Sequence, residues 1–294
     1  MQDRLCFIQF IHPGGEHTPD CGNMKTWNRG KHKRKFMTAE GRYLDGGKVL
    51  SDNIIFWGEW EPESEVVTRI AASVVNGPTN LYRPFYRRPS SYVGLQNTDP
   101  FVFGEQFHYC ICQQHAKGRP TQMRNLERGS VILFGSCLND QFVLDTVFVV
   151  SHYWIDHCRN DHRKLLQDHV SDTYWDVVLS PLYPEDPGAE CSKCGGDQSD
   201  CSFRLYFGAT WEQPIDGMFS FFPCMAEAVS SVGFARPVIV LPDQITNDLN
   251  EGRKHTYVRS LGDMALLWKE VSEQVVSQGL HLGVRAELPL RDNP

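Results

Sequence analysis

The chain has 294 residues, with 29 basic and 36 acidic side chains, a formal net charge of −7 and 41% hydrophobic residues. That balance excludes a disordered polyelectrolyte and a uniformly basic nucleic-acid coat protein, and it supplies enough apolar material for one sizeable core. No stretch approaches the roughly 18 apolar residues of a membrane-spanning helix, and no basic, apolar, small-residue leader opens the sequence; the expectation is a cytoplasmic protein with reduced thiols and no membrane partner.

Residues 5–11 (LCFIQFI) read as a buried first strand that stops at His12-Pro13-Gly14-Gly15. His12, Glu16 and His17 follow on this turn. Its glycines let backbone approach a ligand, so the three side chains suit acid–base work or phosphate contact better than a metal; an ordinary exposed turn fits equally. The next stretch, to about Lys48, is polar and basic. Arg29, Lys31, Lys33, Arg34 and Lys35 crowd together there, and Arg87 and Arg88 join Arg83 further on among Tyr82, Phe85, Tyr86 and Tyr92. Clustered cations are either a solvated face or a phosphate-binding surface, and aromatics among arginines are what an unstacked base would use.

Residues 53–61 (NIIFWGEWE) read as a strand. Alternation puts Phe56, Gly58 and Trp60 on one face, and Asn53, Ile55, Trp57, Glu59 and Glu61 on the other. Trp57 beside Glu59 makes an aromatic wall next to a carboxylate, which can stack a flat ring and accept hydrogen bonds from its edge; both tryptophans also suit a plain core. Residues 64–75 show apolar positions at helical spacing behind Ser64 as a cap, which predicts a short helix. Residues 79–106 read as a long ordered loop, in which Asp99 before Pro100 can be held rigidly for a catalytic role or can simply form a turn.

Residues 107–112 alternate as a strand; His108, Cys110 and Cys112 then share a face, with His115 nearby, and one more ligand would complete a soft metal site. Residues 131–134 and 142–150 are two strands with 135–141 as their turn, and 174–179 reads as a further strand. Residues 181–202 form a loop or insertion rich in proline, glycine and cysteine. Cys191, Cys194 and Cys201 within it make half of a structural zinc site whose fourth ligand is distant. Strands are expected at 203–210, 218–222 and 238–241. The clearest helix is 261–278, with Leu261, Met264, Trp268, Val271 and Val275 on one face, a capping box at Ser260 and Asp263, and Gly279 at its end.

The fold class is therefore a single mixed α+β domain over residues 1–294, richer in strand than in helix. Phosphate-loop, dinucleotide-fold, nucleophile-elbow and HExxH signatures are absent. The segment 126–135 (LERGSVILFG) followed by 142–150 (FVLDTVFVV) resembles an element of PUA-like barrels, including the ASCH and EVE families. The resemblance implies a small β-barrel with flanking helices whose pocket holds a nucleobase, in proteins that read modified bases or hydrolyse modified nucleosides. It covers only this hairpin, and no family site residue carries over.

Three functions stay open on these residues. One is recognition of a nucleobase, free or in DNA or RNA, in the service of nucleotide modification or defence: Trp57 and Trp60 stack the base, Glu59 reads its edge, and Arg29, Lys31, Lys33, Arg34, Lys35, Arg87 and Arg88 hold phosphates. Another is a nucleotide-acting hydrolase or transferase using His12, Glu16, His17 and Asp99. The third is a protein-interaction module stabilised by zinc on Cys191, Cys194 and Cys201.

Overall fold

The computed structural model describes residues 2–11, 34–69, 80–87, 98–116, 119–156, 166, 169–180, 203–229, 233–247 and 253–291. The broad α+β class holds. Strands dominate: β1 (Cys6–Ile11), β2 (Arg34–Asp45), β3 (Lys48–Glu59), β4 (Ser64–Arg69), β5 (Asn80–Tyr86), β6 (His108–Tyr109), β7 (His115–Ala116), β8 (Arg119–Pro120), β9 (Val131–Leu138) and β10 (Gln141–Asp156). After a helical turn α1 (Asp172–Tyr174), continued in π geometry over Trp175–Leu179, come β11 (Phe203–Gly208), β12 (Phe222–Ala226), β13 (Arg253–Tyr257), helix α2 (Leu261–Ser277), β14 (His281–Ala286) and β15 (Leu290–Arg291). No helix among the described residues is long and apolar enough to cross a membrane.

A six-stranded sheet runs β13-β1-β9-β10-β11-β6, with β1 and β9 parallel. A seven-stranded sheet runs β14-β12-β3-β2-β5-β15, with β4 on β5 and a further pairing of β14 to β2. Alternation sorts the apolar side chains of the first sheet onto two faces. Cys6, Ile8, Phe10, Ile132, Phe134, Phe148 and Val150 meet Met37, Ile54, Phe56, Phe222 and Cys224 of the second sheet. Phe7, Ile11, Val131, Leu133, Val147 and Val149 face α2 through Met264, Trp268, Val271 and Val275. Burial on both faces explains why β1, β9 and β10 read as unbroken apolar runs. Helix α2 matches its sequence expectation, with the Ser260 hydroxyl accepting from the Asp263 N–H at 3.1 Å.

Several expectations are corrected. Residues 64–69 form strand β4: Val66, Val67 and Thr68 are β-branched, and the side chains alternate against β5. Residues 70–75 lie outside the described residues. Residues 34–45, read as polar connection, form the long strand β2, and residues 80–86 of the supposed loop form β5. Strand β3 starts earlier than expected, at Lys48. The segment 174–179 is helical, because a short apolar run buried on all sides carries no period that separates strand from helix. The segment 107–112 pairs only at His108–Tyr109. Expected strand 218–222 is displaced to Phe222–Ala226, and 238–241 makes a single bridge, Val238 to Val143. The turn placed at 135–141 shrinks to Asn139 and Asp140, both at positive φ, in a two-residue hairpin. Residues 181–202 lie outside the described residues, and the β9–β10 hairpin belongs to the six-stranded sheet.

One irregularity positions the site. Along β10, Leu144 opposes Gly135 and Thr146 opposes Phe134, so Asp145 is a bulge residue without a cross-strand partner. The bulge resets the phase of the strand: Phe142 and Leu144 before it, and Val147 and Val149 after it, all face the helix side. Gly135 lies opposite. A Cβ there would sit 2.3 Å from the Val143 carbonyl oxygen and 2.6 Å from the Phe142 ring. Gly135→Ala is therefore expected to lower the denaturant midpoint, at unchanged slope, by an amount equivalent to about 2 kcal/mol; an unaltered midpoint would show that the bulge tolerates a side chain.

Candidate functional site

The ends of β2 and β3 and the bulge of β10 bring four charges together out of water. Register pairs Arg34 with Glu59, and Phe36 with Trp57, all on one face of β2 and β3. The Arg34 Nη2 donates to Glu59 Oε2 at 3.1 Å, and both side chains are 2% exposed. Arg34 Nη1 lies 3.5 Å from Asp145 Oδ2. Asp145 Oδ1 lies 3.3 Å from Arg236 Nη1, which also donates to the Ser136 hydroxyl at 2.6 Å. The Arg236 guanidinium in turn lies over the Trp57 indole, 4.4 Å from the ring centroid. At the other end of the chain of contacts, Glu59 Oε1 accepts from the Asp99 backbone N–H at 3.2 Å.

Two aromatic contacts frame this network. Phe36 meets Trp57 edge-on at 5.1 Å, and Phe234 meets Phe36 at 5.0 Å. Two polar atoms keep hydrogen-bonding capacity: the buried Trp57 N–H has no acceptor among the described residues, and Asp145 Oδ2, although ion-paired to Arg34, accepts no hydrogen bond. Burial pushes the Asp145 carboxyl up, against the opposing pull of Arg236 and Arg34, and burial pushes the Arg236 guanidinium down. A carboxylate edge beside a stacked planar cation can hold any flat, N–H-edged group.

The sequence-derived site residues separate. Trp57 and Glu59 belong to this cluster. Trp60 does not: it is fully buried in the main core against Phe101 and Phe103, and its indole N–H donates to the Glu63 carbonyl at 2.7 Å. Trp60 is a core anchor, and stacking a base on it is withdrawn. Glu59 accepts from Arg34 and from the Asp99 backbone, and the cluster's carboxylate oxygen that accepts no hydrogen bond is Asp145 Oδ2. Arg34 is buried among carboxylates. Lys35 is fully buried, donating to the Ser64 hydroxyl at 2.6 Å and lying 5.0 Å from the Tyr82 ring centroid. Neither side chain lies on a surface that could meet a phosphate. Arg87 is exposed over Phe85. His12, Glu16, His17, Arg29, Lys31, Lys33, Arg88, Cys191, Cys194 and Cys201 lie outside the described residues.

Asp99 has a structural task. Its carboxylate accepts the backbone N–H groups of Cys110 at 3.0 Å, Ile111 at 2.8 Å and Cys112 at 2.7 Å, which ties the turn after β6 to the start of the preceding loop. That turn ends the alternation on which a His108, Cys110 and Cys112 metal site would depend. No group of three or more His, Cys, Asp or Glu side chains among the described residues is placed to hold a metal ion. Cys6, Cys110, Cys112, Cys137 and Cys224 carry no disulfide.

The sequence reading missed Asp145, Ser136 and Arg236. Asp145 had a visible signal, a lone acid in the apolar run FVLDTVFVV. Ser136 and Arg236 had none. The chain matches no family model, no curated protein and no solved structure.

Two buried groups, Asp99 and His108, respond to pH in opposite directions. Burial pushes Asp99 up from 3.8 to about 6, against its three backbone donors. Burial pushes His108, packed on Tyr174 at 4.5 Å and Phe207 at 5.0 Å, down from 6.5 to about 4, against the backbone of Gln106 and His169. The folded protein thus holds an extra proton on Asp99 as pH rises from 3.8 to about 6, and lacks one on His108 as pH falls from 6.5 to about 4. The Asp99 contribution is present at low pH and lost as pH rises through its folded value; the His108 contribution is present at high pH and lost as pH falls through its own. Each changes stability by about 1.4 kcal/mol per pH unit, with opposite sign, so the two nearly cancel in the shared window. Asp99→Asn should expose a loss of stability on acidification through that window, and His108→Phe a gain, measured by denaturant midpoints at several pH values. Parallel profiles for both variants and the parent would contradict the assignment.

Proposed function

We propose that the protein recognises a nucleobase at the Trp57–Asp145 cluster, with the base free or part of a nucleic acid. The observation that carries this reading is the buried Asp145 carboxylate edge, with unused accepting capacity, beside an indole face. Flat heterocycles with N–H edges satisfy both features at once: the ring stacks and the edge donates. An apolar ligand leaves the carboxylate unsatisfied, and a compact cation makes no use of the indole plane beyond its charge.

The PUA-like reading belongs to the same proposal. β14 pairs with both β12 and β2, so β14, β12, β3 and β2 complete a circuit of pairings that carries Trp57 on β3, while the resembling β9–β10 hairpin stands in the other sheet.

The test is calorimetric titration with nucleosides, nucleotides and short single-stranded DNA and RNA. Trp57→Leu, which removes the stacking plane, should weaken binding by about tenfold or more, in line with the 1–3 kcal/mol worth of one stacked base. An unchanged affinity in a folded Trp57→Leu protein would remove this residue from the site, and no binding of any base by the parent protein would end the proposal.

A further inference from the structure

The group now lying on Trp57 is itself informative about what the site prefers. The Arg236 guanidinium is planar and delocalised and presents N–H donors along its rim. It covers the indole at 4.4 Å, and its Nη1 points to the Asp145 carboxylate at 3.3 Å and the Ser136 hydroxyl at 2.6 Å. Trp57 is only 4% exposed. A ring that stacks on this face must therefore take the place of the guanidinium, and it inherits the same partners.

We infer that the site is selective for guanine-type rings and that Arg236 is their internal competitor. This inference rests on the nucleobase reading above. Guanine contains a cyclic guanidine: N1–H and the 2-amino group are adjacent donors on one planar edge, and the ring carries no charge. An ionised carboxylate only accepts hydrogen bonds. Guanine offers it two donors side by side. Neutral adenine and cytosine offer one donor next to a ring nitrogen that is itself an acceptor, which opposes the second carboxylate oxygen. Uracil and thymine offer one N–H between two carbonyls. Among the common bases, guanine alone offers two adjacent donors, one for the Oδ1 that Arg236 Nη1 now meets and one for the Oδ2 that accepts no hydrogen bond.

The exchange leaves two carboxylates, Glu59 and Asp145, on the one guanidinium of Arg34, a buried negative charge that the donor edge of the ring must offset. When the Arg236 guanidinium leaves, Asp145 keeps its contact with Arg34. The Trp57 N–H lies in the indole plane and cannot reach the edge of a ring stacked on that same indole. Arg236 lies beside Pro237, whose carbonyl accepts the Leu144 N–H at 2.9 Å, so the segment stays anchored to β10 while the side chain swings.

The experiment compares guanosine, inosine, adenosine, cytidine and uridine by calorimetry on the parent protein and on Arg236→Ala and Arg236→Met. Inosine lacks only the 2-amino group. The expected result is that guanosine binds most tightly, that inosine is about tenfold weaker or more, as loss of a hydrogen bond to a charged group predicts, and that both Arg236 variants bind guanosine more tightly than the parent because the competitor is gone. Equal binding of guanosine and inosine, or preference for another base, overturns the guanine assignment while leaving nucleobase recognition standing. Weaker guanosine binding in both folded Arg236 variants overturns the competitor role. Absence of binding by any base in all three proteins overturns the nucleobase reading itself. If neither variant folds, guanosine against inosine on the parent protein still decides the selectivity.

Discussion

Burying charge is costly unless each charge finds a partner, and the region around β2, β3 and β10 is arranged around that constraint. Glu59, Arg34, Asp145 and Arg236 form an alternating chain of opposite charges, each within 3.5 Å of the next. Removal of one member of such a chain leaves an uncompensated charge, a loss on the order of 3–5 kcal/mol, whereas the intact chain adds little net stability. Its consequence is geometric. Arg34 and Glu59 belong to the seven-stranded sheet, and Asp145 to the six-stranded one, so the ionic chain fixes how these strand ends meet. A hydrophobic contact would hold them together as well, but would specify their relative position less sharply.

The bulge is what makes this possible. A regular β10 would direct residue 145 in phase with its neighbours and put the valines that follow on the wrong face. Insertion of one unpaired residue lets Asp145 leave the ladder while both flanking halves keep their apolar faces on α2. The space for that kink exists because Gly135 has no side chain to collide with the Val143 carbonyl. A packing device in the six-stranded sheet thus delivers a buried carboxylate to the other sheet.

Other buried polar groups are used to tie chain rather than to bind. Asp99 gathers three successive backbone donors, Trp60 fastens its indole to the Glu63 carbonyl, and Gln114 exchanges hydrogen bonds with the backbone of Arg204 at 2.7 and 2.8 Å. These are the places where chain without a regular ladder must satisfy its own N–H and C=O groups. They look much like site residues in a sequence, which is why Asp99 and Trp60 drew functional expectations that the geometry gives to structure.

The sequence by itself determined the class of the fold, helix α2 with its cap, the strands β1, β9, β10 and β11, and the opposite faces of Trp57 and Trp60, because each depends on local periodicity or capping chemistry that neighbouring residues carry. It could not decide residues 64–69, 174–179 or 238–241, where short apolar or β-branched runs fit more than one backbone and the neighbouring strand or helix makes the choice. Nor could it assemble the charged cluster at Trp57. Arg34, Trp57, Asp145 and Arg236 are scattered along the chain, and only strand register, one bulge and the pairing of buried charges bring them together. Burial likewise reversed the meaning of Arg34 and Lys35, which look like surface cations in a basic run and become interior partners once β2 is packed between β3 and β5. Periodicity is local and can be read from residues; desolvation and charge pairing belong to the folded molecule, and they decided which of those residues form the site.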